Sequence, residues 1–131
     1  MAVKFSVSAI IPAAPEKIYA AWLNSKKHSA MTGGEAKVSA AAGRTFTAWD
    51  GYIEGRNLEL DPPRRILQSW RTTEFAARDP ASRLLVTFKP VAGGTRVTIY
   101  HSNLPAHGMK YKQGWVDAYL NPMQAYFEGR K

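Results

Sequence analysis

Cysteine is missing from all 131 residues, which removes disulfides, thiolate nucleophiles and cysteine metal ligands together. Histidine is almost as scarce. His28, His101 and His107 are the only three, and none stands at metal-ligand spacing from a second histidine. No apolar run approaches the roughly 20 residues that a membrane helix needs, and the N-terminus has no signal-peptide pattern. A nucleophile elbow, a phosphate-cradling glycine loop and a dinucleotide fingerprint are also missing; Gly33–Gly34 and Gly93–Gly94 read as turns. The expectation is a cytoplasmic protein off the membrane, with no metal, no cofactor and no assigned catalytic residue.

Acidic side chains are under-represented, 10 against 18 basic ones, for a formal net charge of +8. Such an excess raises nucleic acid as a partner, but its distribution argues against one. The longest basic clusters are the pairs Lys26–Lys27, Arg64–Arg65 and Arg130–Lys131, with no recognition helix or RNA-binding signature beside them. A solvated basic surface is the simpler reading.

Hydrophobic residues make up 45% of the chain and aromatic ones 11%, enough to build a core in one domain spanning 1–131. In "FSVSAIIP", Phe5, Val7, Ala9 and Ile11 fall on one face and Ser6 and Ser8 on the other, the period-two signature of a half-buried strand that Pro12 ends. Pro15 and Glu16 suit a helix's first turn, and Ile18, Ala21 and Trp22 then share one face. Ala14 is a poor N-cap. "NSKKHSAMTGG" reads as a short polar helix or turn. Turn signals then separate "EAKVS", "RTFTAWD", "GYIEGRNLEL", "RILQSWR", "SRLLVTFKP" and "TRVTIYH". Their short connections leave no room for crossover helices, so the sheet should be antiparallel throughout.

From about Lys110 the chain places Trp115, Tyr119, Met123 and Phe127 at steps of four, predicting a long helix with an aromatic face against the sheet. Pro122 cannot donate to the carbonyl of Ala118 and should kink this helix rather than end it. The sum is an α+β helix-grip fold: a curved antiparallel sheet of about six or seven strands around a long kinked C-terminal helix, with one or two short helices after the first strand.

These segments, in this order, also resemble a known family. "APEKIYAAWLN", "WDGYIEG", "LELDPPRRILQSWR", "GGTRVTIYHSNLP" and "QGW" with "YF" are similar to the START-like, or SRPBCC, superfamily, and within it to homologues of the activator of the heat-shock-protein-90 ATPase. The similar part of the eukaryotic co-chaperone is its C-terminal half. The domain that stimulates the ATPase has no counterpart among these residues, so the resemblance does not bring co-chaperone activity with it. It implies instead a cavity between sheet and long helix that accepts a small, mostly apolar or aromatic ligand, with a chaperone as a further partner to consider.

The aromatic residues carry more information than the titratable ones. Trp49, Trp70, Trp115 and Tyr119, with Met123, are expected to line that cavity, and His101 to face them as its polar contact; each has packing in a filled core as its plainer explanation. His101 alternates with Val97 and Ile99 and so should point to the covered face. Three functions stay open: a non-enzymatic ligand-binding module, a co-chaperone-like interaction domain, and a cyclase- or hydrolase-like enzyme. The first needs an apolar cavity and the second an exposed patch over a filled interior. The third needs a polar pair inside the cavity, for which His101 with Tyr119 or Asp117 is the only combination available. Oligomeric state is not legible.

Overall fold

In the computed structural model, residues 3–129 are described, so the Arg130–Lys131 pair lies outside them. Strand β1 (Val3–Ile11) alternates inward and outward as its sequence requires, and Pro12 closes it. Helix α1 (Pro15–Trp22) follows with Pro15 in its first turn, no side-chain cap from Ala14, and Ile18, Tyr19, Ala21 and Trp22 buried. Helix α2 (Ser25–Thr32) is capped by Asn24, whose side chain accepts from the Lys27 N–H at 3.0 Å, and it ends at Gly33 in the left-handed conformation.

"EAKVS" forms only a single bridge, Lys37 to Thr47, instead of a strand. Side chains of α2 intercept its backbone. The Ser25 hydroxyl bonds both the N–H and the carbonyl of Val38, and Ser29 Oγ accepts from the Ala36 N–H at 2.9 Å. Hydroxyls competing for main-chain groups in this way divert a segment from sheet pairing.

The remaining strands are β2 (Thr45–Ala48), β3 (Ile53–Asp61), β4 (Arg65–Thr72), β5 (Ser82–Val91) and β6 (Gly94–Leu104). They form one curved antiparallel sheet in the order β1-β6-β5-β4-β3-β2. All sequential strands after β1 are neighbours. Only the β1 to β2 connection crosses the sheet, and α1 and α2 carry it from one edge to the other.

A 3₁₀ turn (Ala106–Met109) leads into helix α3 (Lys110–Trp115), a π-helical turn (Val116–Leu120) and helix α4 (Asn121–Phe127). The interruption foreseen at Pro122 is therefore a π turn that ends just before it. The Asn121 N–H reaches back five residues to the Val116 carbonyl. A widened turn accommodates a proline whose ring and missing N–H disrupt the ordinary ladder, and the helix resumes beyond it. The core lies between this helix and the sheet face carrying Ile66, Trp70, Leu84, Val86, Val97 and Ile99.

Candidate functional site

A pocket of about 370 Å³ opens between the C-terminal helix and the β2–β3 end of the sheet. Tyr111, Gly114, Trp115, Ala118 and Tyr119 form the helix wall; Trp70 and Ile53 come from the sheet, and Trp49 and Tyr52 from the β2–β3 turn. Among the described residues, no charged side chain lines it. Aromatic faces dominate: Trp70 and Trp115 lie 5.7 Å apart between ring centroids, Trp115 and Tyr119 4.8 Å, and Trp70 and Tyr111 5.0 Å.

The rings of the helix wall use their polar atoms away from the pocket. Trp115 Nε1–H donates to His101 Nδ1 at 3.0 Å. An indole nitrogen only donates, so Nδ1 of His101 is bare and its proton sits on Nε2, where it donates to Ser82 Oγ at 2.8 Å. Ser82 in turn donates to the Trp70 carbonyl at 2.9 Å. Burial pushes His101 down to about 3, so it is neutral at ordinary pH.

Tyr119 follows the same logic. The Trp22 carbonyl takes a hydrogen bond from His28 Nδ1 at 2.8 Å, leaving His28 Nε2 to accept from the Tyr119 hydroxyl, also at 2.8 Å. Burial lowers the pKa of His28 and raises that of Tyr119. At the other end the Tyr111 hydroxyl meets Thr72 Oγ1 at 2.7 Å and His107 Nε2 at 3.2 Å, and burial pushes it up to about 12. Three buried hydroxyl or indole groups are thus spent on holding the helix in place.

The turn wall is built differently. Trp49 and Asp50 both have positive φ, 52° and 59°, a region that a bulky side chain rarely adopts. Asp50 secures the conformation by accepting from the Glu35 N–H with its carboxylate at 3.1 Å and donating its own N–H to the Glu35 carbonyl at 3.0 Å. The Trp49 ring then lies on Gly34: a Cβ there would fall 2.4 Å from Trp49 Cε3. Among the described residues, Trp49 Nε1 and the Tyr19 hydroxyl are the buried side-chain atoms without a hydrogen-bond partner.

Of the residues expected from sequence to line a cavity, the pocket brings together Trp49, Trp70, Trp115 and Tyr119. Met123 and His101 are placed elsewhere. Met123 is fully buried one helical turn beyond Tyr119, where the helix packs on α2 and β1 past the end of the pocket. His101 faces inward as its alternation requires, but Trp70 and Trp115 cover it and both ring nitrogens are occupied. The pairing of His101 with Tyr119 or Asp117 is not assembled either: Tyr119 is bound to His28, and Asp117 is exposed and bonded to Gln113. No group of three or more potential metal ligands occurs among the described residues.

Sequence reasoning missed Tyr111, Gly114, Ala118, Tyr52 and Ile53. The first was within reach, because it stands one further step of four before Trp115, and Gly114 and Ala118 are a second such step on the same face. The role of His28 had no local signal.

Three comparisons bear on kinship. The family model described as "Activator of Hsp90 ATPase homolog 1-like protein" matches residues 12–128. The human activator of 90 kDa heat shock protein ATPase homolog 1 is 27% identical over 118 residues, covering 89% of this chain and 32% of that protein. Its Dictyostelium discoideum counterpart is 28% identical, over 86% of this chain and 30% of its own length. This chain therefore spans about a third of the curated relatives it matches. The crystal structure of an HSP90 activator from Plasmodium falciparum superposes with a TM-score of 0.83 at 22% identity, covering 94% of both chains. Protein MLL2253 from Mesorhizobium loti superposes at 0.81 with 18% identity, over 98% of this chain and 99% of its own. These two likenesses show the fold.

Proposed function

This chain belongs to the family of Activator of Hsp90 ATPase homolog 1-like proteins, and from that premise we propose that it is a non-enzymatic module holding a small, flat, mostly apolar ligand in the pocket between turn and helix. Gly114 is the observation that carries this reading. A glycine inside an exposed helix costs about 1 kcal/mol against alanine. Packing does not demand one here, since a Cβ at Gly114 would meet no atom within 4 Å. What the missing side chain leaves is pocket volume. The rings around that space offer π-faces, and the absence of a charged lining residue among the described ones selects against ions.

A thermal-shift screen of aromatic and apolar metabolites tests the proposal, because a ligand at a hundred times its dissociation constant adds about 2.7 kcal/mol of stability. Gly114→Leu fills the same space while improving helix propensity. It is expected to keep or raise the melting temperature and to abolish every ligand-induced shift. Undiminished shifts in Gly114→Leu would place binding elsewhere and sink the reading.

A chaperone partner is a second reading, supported by the relatives' names and by the other sheet face. Lys4, Arg83, Lys89 and Arg96 are exposed there without an ion-pair partner among the described residues, and Lys89 stands directly opposite Arg96 in the β5–β6 register. Like charges so placed repel one another and favour an acidic protein surface. Salt-sensitive binding to a 90 kDa heat-shock chaperone, without strong stimulation of its ATPase by this chain alone, is the expected outcome. Binding unaffected by Lys89→Glu with Arg96→Glu would remove this face from consideration.

A further inference from the structure

We infer that the ligand of this pocket carries a neutral hydrogen-bond acceptor on the edge of a flat ring system, and that the indole N–H of Trp49 recognises it. The inference rests on the reading of the pocket as a ligand site and adds the chemistry of what enters.

Trp49 is the one wall residue held in place at several local costs at once. Its backbone is left-handed, as is that of Asp50 after it. Its seat requires glycine at position 34, since any Cβ would collide with the ring. The contact falls on Cε3, Cδ2 and Cζ3, the edge of the indole diagonally across from Nε1. The nitrogen itself is buried without a partner, an arrangement that native interiors rarely tolerate.

Packing alone explains the ring but not the nitrogen. A phenylalanine would cover the same apolar wall and leave no orphaned donor. The other wall groups show how this protein treats such atoms when they are structural: Trp115 Nε1 is bonded to His101, Tyr119 to His28 and Tyr111 to Thr72. Trp49 lines the same pocket and has been left open. Recognition then takes a rotation of the indole, which turns this N–H out of its buried position towards a ligand lying against Trp70 and Trp115.

The acceptor must be neutral, because no lining side chain among the described residues carries a positive charge to offset a buried carboxylate or phosphate. The volume of about 370 Å³ lies at the small end of ligand pockets. An aromatic ketone, quinone or lactone of two or three fused rings fits both conditions.

Fluorene and fluorenone form the probe pair, because they share one flat skeleton and differ by a single carbonyl. The unmodified protein is expected to bind fluorenone about tenfold more tightly than fluorene, the scale of one hydrogen bond gained by a buried donor. Trp49→Phe is expected to bind fluorenone and fluorene with equal affinity, whatever loss the two share. Because that variant also alters a strained turn, the nitrogen is followed directly in the unmodified protein. With ¹⁵N-labelled protein, the Trp49 indole N–H resonance moves downfield on adding fluorenone and not on adding fluorene. Equal affinities, a preference that survives Trp49→Phe, or a downfield shift at another tryptophan would overturn the inference and leave the pocket reading standing. Failure of both probes to bind would bring down the pocket reading and the inference with it.

Discussion

The two walls of the pocket solve the problem of exposing aromatic rings in opposite ways. On the helix wall every buried polar handle is paired to a group behind it: Trp115 to His101, Tyr119 to His28, Tyr111 to Thr72. On the turn wall Trp49 sits in a left-handed backbone with its nitrogen unpaired. The rings of the helix wall are therefore core that happens to border a cavity, and Gly114 is the helix-wall position that packing leaves unexplained. The turn wall spends stability on a shape the core does not need, which is the pattern expected where function sets a local conformation.

The sharpest way to break this contrast is Trp115→Ala. Trp115 packs on Trp22, Trp70 and Tyr119, and its loss leaves His101 Nδ1 without a donor. The expected cost is about 3–5 kcal/mol in urea denaturation. A loss below about 2 kcal/mol would show that the helix wall is not core.

Acid is the next largest lever, and it acts on the helix wall alone. His101 is held neutral, its pKa lowered by burial from 6.5 to about 3, and burial lowers His28 as well. Below pH 6.5 the unfolded chain takes up protons that the folded one refuses, so this stability is complete above 6.5 and declines as the pH falls towards 3. One such group costs about 1.4 kcal/mol per pH unit, about 3 kcal/mol by pH 4. The stability slope between pH 6 and 4 should lose about one proton in His101→Phe. An unchanged slope would mean that this histidine is not buried neutral.

Smallest is Gly34→Ala, which presses on the turn wall. The new Cβ collides with the Trp49 ring, and overpacking of this kind costs about 1–3 kcal/mol in a rigid seat. Because the collision is with a side chain and not with backbone, the low end is expected, about 1 kcal/mol, together with weakened binding of any aromatic ligand. A neutral change in both would show that Trp49 is free to move.

How much of this was legible in the sequence depended on whether a residue's role is periodic. The alternation through Val97, Ile99 and His101 and the steps of four through Trp115, Tyr119 and Met123 placed their side chains inward correctly, because burial follows backbone period. Period says nothing about where along a buried stripe the packing opens. Met123 and Tyr119 share a stripe, yet only Tyr119 meets the pocket. Nor could it show that the nitrogens of His101 are taken by Trp115 and Ser82, whose positions depend on the assembled sheet and helix. "EAKVS" has the composition of a strand, but hydroxyls of α2 claim its main chain. Pro122 announced an irregular helix without showing that the irregularity would be a π turn ahead of it.

The gripped helix also sets an order of events in synthesis. Five of the nine residues around the pocket lie in Tyr111–Tyr119, after the last strand. A chain made from its N-terminus therefore has all six strands synthesised before that segment is. Until it docks, the part of the sheet face around Trp70 lacks the cover of Trp115 and Tyr111, and β1 and β6 have to pair across most of the chain's length. A chain paused at this stage is a half-sandwich with its apolar side open, the species on which a holding chaperone would act.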